Sequence, residues 1–179
     1  MFVVSRFIAS ETLESRLKKS LPTHDETAKL LRTISEALAY AHDRRLIHRD
    51  VKPANILIEA ATNTAFITDF GLAIREEDYT KHLGLAGTLA YMSPEQARGE
   101  GHRLDGRSDV FALGIILYEM LTGQLPFRGS TQNEILHQVI SVEPRAPRSL
   151  RPEMVCRRVL HSGNSKSKRR IQSRRSAWD

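Results

Sequence analysis

The chain has a single cysteine, Cys156, among 179 residues, so an intrachain disulfide is excluded. This composition is typical of a reducing compartment. Long apolar runs are also missing, because the longest, residues 110–117, is far shorter than the ~20 residues that span a bilayer. The first ten residues, MFVVSRFIAS, lack the basic-then-apolar layout of a secretory signal peptide. We therefore expect a cytoplasmic protein without a membrane segment.

The net charge of +6 is confined to one end of the chain. Residues 1–153 hold 19 Lys and Arg against 20 Asp and Glu, whereas residues 154–179 hold 8 basic residues and one acid, Asp179. The hydrophobic share of 40% and the charged share of 27% are values of a globular chain that can bury a core. The basic excess therefore says nothing about the folded part, and a nucleic-acid or membrane-surface partner would depend on the tail alone.

The first half of the chain predicts a strand, two helices and a hairpin. Residues 2–8 are β-branched and aromatic, which favours a strand, and residues 12–19 favour a short helix. Thr23 and Glu26 have the spacing of a capping box before apolar residues at helical intervals, so residues 25–44 form an amphipathic helix. His42, near its end, is interpreted as a surface or capping residue. Residues 54–59 and 65–68 read as two strands of a small hairpin.

The second half predicts a long loop followed by helices. Residues 75–107 are polar and Gly-rich without a period, and loops of this length are usually functional. Residues 110–121 are apolar on nearly every side, which indicates a helix buried on most faces and ended by Gly123. Residues 133–140 form a shorter helix, and residues 143–152 are a connector.

Chemically informative residues cluster in residues 48–55, His-Arg-Asp-Val-Lys-Pro-Ala-Asn, and in residues 69–71, Asp-Phe-Gly. Around one predicted hairpin they place two carboxylates, a carboxamide and a lysine. Carboxylate and amide oxygens suit Mg²⁺ that carries the phosphates of a nucleotide, and a further carboxylate can accept a hydroxyl proton. A single Asp in a turn is more often a capping residue, but the joint spacing argues for a site.

At these residues the sequence resembles the eukaryotic-like protein kinase superfamily, in its bacterial serine/threonine branch. Residues 48–55 resemble its catalytic loop and residues 69–71 its magnesium-binding triplet. Ser93-Pro94-Glu95 stands where Ala-Pro-Glu is usual, and residues 109–114 resemble the start of the central buried helix of the family. The resemblance covers residues 2–152.

The resemblance implies a serine/threonine protein kinase that uses ATP and Mg²⁺ and acts on protein Ser or Thr hydroxyls. Asp50 accepts the proton of the substrate hydroxyl, Lys52 neutralises phosphate charge, and Asn55 and Asp69 hold Mg²⁺. The adenine pocket is implied to include Val4 and Phe7 of a hinge segment and Leu57 as its floor.

Other matched residues have implied supporting roles. Thr88 links the substrate-docking loop to Asp50, and a phosphate on Thr80 or Thr88 would pair with Arg49. The remaining matched positions are interpreted as structural, with His48 and Phe70 as a stacked pair and Asp109 bound to the backbone of the catalytic loop; these structural positions are His48, Arg49, Phe70, Gly71, Glu95 and Asp109.

The implied fold is α+β, the mainly helical large lobe of a protein kinase with a small β-hairpin at the catalytic loop. No G-x-G-x-x-G precedes His48, so we expect residues 1–153 to form an incomplete kinase domain without the small lobe. An arginine that pairs with Glu95 is expected after Pro152, but residues 154–179 have almost no apolar spacing. They are interpreted as a disordered or frame-shifted tail, with a genuine basic tail as the alternative.

Three functions therefore compete at this point. The first is a serine/threonine kinase, of which this chain is an incomplete, weakly active or inactive copy. The second is a non-catalytic, pseudokinase-like module that binds partners through its helices. The third is a nucleic-acid or membrane-surface binder that depends on residues 154–179, and we expect no nucleic-acid partner.

Overall fold

The fold is described from a computed structural model, which describes residues 9–70 and 89–152. The predicted strand at residues 2–8, the first part of the predicted loop and the basic tail lie outside the described residues. No helix within the described ranges combines the length and the hydropathy needed to cross a bilayer.

The first half of the chain contains a three-stranded sheet and two helices. Strand β1 (Ser10–Thr12) is followed by helices α1 (Leu13–Lys19) and α2 (His24–His42), and then by strands β2 (Ile56–Glu59) and β3 (Ala65–Ile67). The sheet order is β1-β2-β3 with antiparallel pairing throughout, including Ser10 with Glu59 and Ile56 with Ile67. The predicted hairpin and both predicted helices are confirmed. Strand β1 was not predicted, because its pairing partner lies far along the chain.

Helix α2 begins at the predicted capping box. The Thr23 backbone N–H donates to Glu26 Oε2 at 2.8 Å, and the Glu26 N–H donates to Thr23 Oγ1 at 3.3 Å. These two bonds satisfy donors that the first turn of a helix leaves without partners, and such a cap contributes about 1 kcal/mol. The buried face of the helix consists of Thr27, Leu30, Ile34, Leu38 and Ala41.

The second half of the described chain is helical. It contains α3 (Pro94–Ala97), α4 (Gly106–Thr122), α5 (Gln132–Ser141) and α6 (Pro147–Leu150), with a 3₁₀ turn at Gly101–Arg103. The prediction of an irregular loop was therefore wrong for residues 94–103. Ser93 caps α3 through a second capping box with Gln96, and Pro94 in the first turn has a φ that suits a helix. The prediction relied on the spacing of apolar residues, which does not detect so short a helix.

Helix α4 is the centre of the structure. It begins earlier than predicted because the Asp105 side chain accepts the Arg107 N–H at 2.8 Å, and it ends at Gly123, whose φ of +73° is the left-handed conformation of a helix C-cap. One side packs on α2 and the sheet through Ala112, Ile116 and Met120. Val110 and Leu117 are 61% and 38% exposed, so the prediction of burial on most faces was too broad for this part of the structure.

Two hydrophobic clusters hold these elements together. The larger joins α1, α2, the sheet and α4 through, among others, Leu13, Ile34, Ile56, Ile58 and Ile116. The smaller joins the residues around α3 with α4 and α5 through, among others, Leu89, Ile115, Phe127, Ile135 and Val139. Each fully buried side chain of this size contributes about 1.5–3 kcal/mol. The catalytic-loop residues 48–55 lie between α2 and β2, beside the larger cluster.

Candidate active site

The backbone of residues 48 and 49 is bound to Asp109 of helix α4. The His48 N–H donates to Asp109 Oδ2 at 2.9 Å and the Arg49 N–H donates to Oδ1 at 2.8 Å. The Asp109 side chain is 1% exposed, so these charge-assisted bonds form away from water. The loop is thereby fastened to the central helix at the two residues that precede Asp50.

Two residues of the candidate site have a left-handed backbone. Arg49 has a φ of +68° and Asp69 a φ of +61°, and both are non-glycine residues. Such conformations cost on the order of 1–3 kcal/mol and persist where surrounding contacts enforce them. At Arg49 the contacts are the bond to Asp109 and a second from Gln96 Nε2, which donates to the Arg49 carbonyl at 2.7 Å.

Asp50, Lys52 and Asn55 form one hydrogen-bonded group. Asp50 Oδ2 lies 2.8 Å from Lys52 Nζ and accepts a bond from Asn55 Nδ2 at 3.0 Å. Asn55 Nδ2 also donates to the Asp50 carbonyl at 2.9 Å. Both side-chain partners of Asp50 within the described residues therefore use Oδ2.

His48 connects the catalytic loop to the residues before Asp69. Its Nε2 lies 2.8 Å from the Thr68 carbonyl, and its Nδ1 lies 3.3 Å from the Asp50 N–H. Because a backbone N–H can only donate and a carbonyl can only accept, this geometry corresponds to the neutral tautomer with the proton on Nε2. The His48 ring meets Phe70 edge-on, with ring centroids 4.8 Å apart at 64°, rather than in the stacked arrangement that we expected.

Asp69 follows directly after a residue that pairs with Asn55. The Thr68 N–H donates to the Asn55 carbonyl at 2.9 Å, and Thr68 Oγ1 lies 3.3 Å from Asp69 Oδ2. The Asp69 side chain is exposed. The hairpin thus brings Asn55 and Asp69 to the same end of strands β2 and β3.

The residues present fit a magnesium nucleotide. Both hydrogen bonds that the Asn55 side chain makes within the described residues use Nδ2 as the donor, so its amide oxygen Oδ1 is the candidate metal ligand. No group of three or more His, Cys, Asp or Glu side chains in the described ranges has the geometry of a metal cluster. Mg²⁺ is commonly held by one or two protein oxygens together with phosphates and waters, and Asn55 with Asp69 matches that donor set.

One predicted adenine-pocket residue lies within the described part, and five other predicted residues lie outside it. Leu57 is half-buried in β2, where it pairs with Thr12 and Phe66. Five further predicted residues are outside the described ranges, and their roles stay predictions; they are Val4, Phe7, Gly71, Thr80 and Thr88.

Glu95 has a partner that the sequence did not indicate. The Ser108 hydroxyl of α4 donates to Glu95 Oε1 at 2.5 Å. Burial opposes ionisation of Glu95, but the bonds from Ser108, from its own backbone N–H and from Ser93 outweigh it, so the pKa of this carboxyl is lowered. Ionised Glu95 therefore ties α3 to the first turn of α4.

Tyr91 and Glu119 form a second polar pair, which sequence reasoning missed. The Tyr91 hydroxyl donates to Glu119 Oε2 at 2.6 Å. Burial, followed by the bond to Glu119, raises the pKa of the Tyr91 phenol. Burial also raises the pKa of the Glu119 carboxyl, against the opposing effect of the Tyr91 bond. The two residues are 28 positions apart and carry no local signal.

This pair lines a groove of about 590 Å³ that reaches the catalytic loop. Apolar side chains from α1 and the loop form part of its wall, and Lys52 marks the end next to Asp50. Its lining includes Leu17, Leu21, Lys52, Pro53, Tyr91 and Glu119.

His42 is not the surface or capping residue that we expected. Its Nε2 lies 2.7 Å from Asp109 Oδ2, and its side chain is 23% exposed. The interpretation failed because the partner is 67 residues away, so helical position alone did not reveal it.

Comparisons with known proteins identify the family of the chain. The family model described as "Protein kinase domain" matches residues 1–169. The chain is 35% identical over 160 residues to the probable serine/threonine-protein kinase PknB of Lactococcus lactis, an alignment that covers 83% of the chain and 25% of the relative. It is 38% identical over 150 residues to PknB of Mycobacterium leprae, covering 82% and 24%.

A third relative gives the same result. The chain is 39% identical over 153 residues to the probable serine/threonine-protein kinase PknB of Corynebacterium glutamicum, covering 79% of the chain and 23% of the relative. The chain thus spans about a quarter of the length of the curated relatives that it matches. With a family model that matches most of its length, the chain belongs to the protein kinase domain family.

Proposed function

We propose that the protein acts as a serine/threonine protein kinase, which transfers the γ-phosphate of ATP to a Ser or Thr hydroxyl of a protein substrate. One observation carries this proposal: Asp50 is oriented through Oδ2 by Lys52 and Asn55, while Oδ1 faces no described partner. A carboxylate held in this way by its neighbours can act on a hydroxyl without first reorganising. Family membership and the serine/threonine kinases among the relatives support the proposal.

Asp50 is assigned the role of proton acceptor. The substrate hydroxyl oxygen attacks the γ-phosphorus while its proton passes to Asp50 Oδ1, and the bond between the γ-phosphorus and the bridging oxygen of ADP breaks. Lys52 stays within 2.8 Å of Oδ2, which places a positive charge beside the position where phosphate charge develops. The presence of lysine at this position of the loop supports Ser/Thr rather than Tyr as the acceptor.

Asn55 and Asp69 are assigned to Mg²⁺, and the hinge residues Val4 and Phe7 with Leu57 to adenine. The metal ion, when bound, would screen the charge of the ATP phosphates. Asn55 also orients Asp50 through two bonds from Nδ2, so one side chain serves both the base and the metal. Thr88 is assigned to the contact between the substrate-docking loop and Asp50, and Thr80 and Thr88 are the candidate phosphorylation sites.

Replacement of the base tests the proposal directly. Asp50→Asn keeps the shape of the side chain but cannot take a proton, so phosphotransfer to a generic Ser/Thr protein substrate should fall by about 10²–10⁴-fold. Asp43→Asn is the matched control, because Asp43 is exposed at the end of α2 and should leave the rate unchanged. Transfer of radiolabelled phosphate from ATP in the presence of Mg²⁺ measures both variants, and equal rates for them would refute the role of Asp50.

A measurement of ATP binding distinguishes the kinase hypothesis from that of a non-catalytic module. A titration of the chain with ATP should show saturable binding that requires Mg²⁺ and weakens in Asp69→Asn, since this change removes a negative charge from the metal ligands. Binding should persist in Asp50→Asn. Absence of nucleotide binding would favour the alternative, a pseudokinase-like module that binds protein partners.

A further inference from the structure

Gln96 of helix α3 binds two backbone groups that require opposite hydrogen-bonding roles. Its Oε1 accepts the Ser93 N–H at 2.9 Å, and its Nε2 donates to the Arg49 carbonyl at 2.7 Å. Because an N–H can only donate and a carbonyl can only accept, these partners determine which end of the amide is oxygen and which is nitrogen. Gln96 is 9% exposed, so water does not readily replace either partner.

The bond to Arg49 restrains the peptide group that leads into Asp50. The Arg49 carbonyl and the Asp50 N–H belong to one planar peptide group, and this N–H lies 3.3 Å from His48 Nδ1. Gln96 therefore holds the same plane from its carbonyl side. The restraint matters because Arg49 has a φ of +68°, a conformation that persists only where contacts enforce it. Since the plane is attached to Asp50, its release would let the proposed base move.

Helix α3 can serve as the reference for this restraint because other contacts hold the helix. The Ser108 hydroxyl of α4 donates to Glu95 Oε1 at 2.5 Å. Ala97 packs against the smaller hydrophobic cluster, to which Leu89 and Met92 also belong. Gln96 therefore connects the part of the fold around the smaller cluster to the catalytic loop.

The capping boxes of α2 and α3 differ in the residue at the third helical position, and the difference matches the second partner of that side chain. In α2 this residue is Glu26, whose Oε2 accepts the Thr23 N–H while Oε1 lies 3.6 Å from the Arg16 guanidinium. In α3 the second partner of Gln96 is a carbonyl. A carboxylate caps a helix as a carboxamide does, but it has no proton to donate to a carbonyl. The cap alone therefore does not account for Gln at position 96, whereas the bond to Arg49 does.

We propose that Gln96 is a positioning residue for phosphotransfer, which couples helix α3 to the peptide group before Asp50 and must be a carboxamide to do so. The catalytic consequence rests on the proposed kinase function, but the bond between Gln96 and Arg49 can be tested without activity. A side chain that only caps α3 could be replaced by Glu without effect on the catalytic loop. Replacement of the amide nitrogen by oxygen therefore separates the two roles.

Amide hydrogen exchange on the isotopically labelled full chain at pH 7 tests both contacts in Gln96→Glu. The Asp50 amide should exchange about tenfold faster, because its peptide group loses a hydrogen bond that restrains it. The Ser93 amide should keep its protection, since a Glu oxygen accepts its N–H as Gln Oε1 does. Glu26→Gln is the matched control, because it makes the opposite replacement in the other capping box and should leave both amides unchanged. Equal exchange of the Asp50 amide in Gln96→Glu and in the original chain would overturn the inference.

A second variant weakens the cap and leaves the bond to Arg49 in place. In Ser93→Ala the backbone N–H still donates to Gln96 Oε1, but the Gln96 N–H loses its hydroxyl acceptor at 3.4 Å. The Gln96 amide should exchange about fivefold faster, while the Asp50 amide should stay within about twofold of the original chain. If the Asp50 amide exchanged as fast in Ser93→Ala as in Gln96→Glu, the effect on the loop would reflect only the stability of α3, and the inference would be wrong.

Phosphotransfer supplies a separate readout of positioning. Gln96→Glu should lower kcat by about tenfold or more and leave the KM for ATP unchanged, because the variant displaces the base and not the residues assigned to the nucleotide. An unchanged kcat together with faster exchange of the Asp50 amide would refute the positioning role. Absence of phosphotransfer in the original chain, with the expected exchange pattern in both variants, would refute only the proposed function.

Discussion

Helix α4 carries two carboxylates that bind other segments of the candidate site, and they differ in how many donors they receive. Asp109, near its first turn, accepts bonds from His42 and from the backbone of His48 and Arg49. Glu119, near its last turn, receives one hydrogen bond in the described structure, from the Tyr91 hydroxyl. Asp109 is almost fully buried, whereas Glu119 is half-buried and lines the groove.

The difference shows what a buried charge needs. Three donors replace the water that Asp109 loses, so this end of the helix can hold a strained loop in place. One donor does not replace the lost water at Glu119, and burial raises the pKa of its carboxyl. The first carboxylate therefore acts as a structural anchor, and the second keeps acceptor capacity toward the groove.

Removal of the anchor should have the largest effect. Asp109→Ala leaves one buried and one partly buried backbone donor, together with His42, without their acceptor, so the free energy of unfolding should fall by about 3–5 kcal/mol. Urea denaturation of the full chain measures the change. Asp105→Ala removes an exposed capping carboxylate from the same helix and should cost only about 1 kcal/mol. Equal losses for the two variants would contradict the difference between anchor and cap.

Removal of the single donor at the other end should have an intermediate effect. Tyr91→Phe deprives Glu119 of its hydrogen bond and should lower the free energy of unfolding by about 1.5–3 kcal/mol, the range for a bond to a charged group. Tyr40→Phe is the control, because Tyr40 is 62% exposed, so the loss of its hydroxyl removes a group that water already solvates. Its replacement should change stability by less than about 0.5 kcal/mol. A Tyr91→Phe loss no larger than that of the control would show that the pair contributes nothing.

The smallest effect should appear as a dependence on pH. Because the folded-state pKa of Glu119 lies above its ordinary value of 4.5, its contribution to stability is present below that value and is lost as the pH rises through the raised pKa. Glu119→Gln keeps an acceptor for Tyr91 but cannot ionise. The difference in unfolding free energy between the original chain and Glu119→Gln should therefore shift in favour of the variant from pH 4 to pH 7. Parallel curves over this range would mean that Glu119 ionises without penalty.

The parts of the fold that the sequence predicts are those with local signals. Helix α2 has a capping box and apolar residues at helical spacing, and the hairpin of β2 and β3 has two β-rich segments around a turn. The residues of the catalytic loop were recognised for the same reason, since Asp50, Lys52 and Asn55 are close neighbours in the chain. Strand β1 gave no such signal, because it forms only by pairing with residues near Glu59.

The parts that the sequence did not predict are contacts between distant residues. His42 and Asp109 are 67 positions apart, and Tyr91 and Glu119 are 28 apart. Nothing in the neighbourhood of His42 distinguishes it from a histidine at the surface end of a helix. Its contact with Asp109 forms only when α2 and α4 pack together in the folded chain.

The anchoring of the catalytic loop to Asp109 also has a consequence for the order in which the site is made. The bonds to His48 and Arg49 join residues 61 and 60 positions apart. At a synthesis rate of ~5–20 residues per second, the ribosome adds that length in roughly 3–12 seconds. During this interval the nascent chain already contains Asp50 but lacks the carboxylate that shapes the loop around it. The loop residues of the site are therefore synthesised first, and they can take up their arrangement only after the central helix has been synthesised.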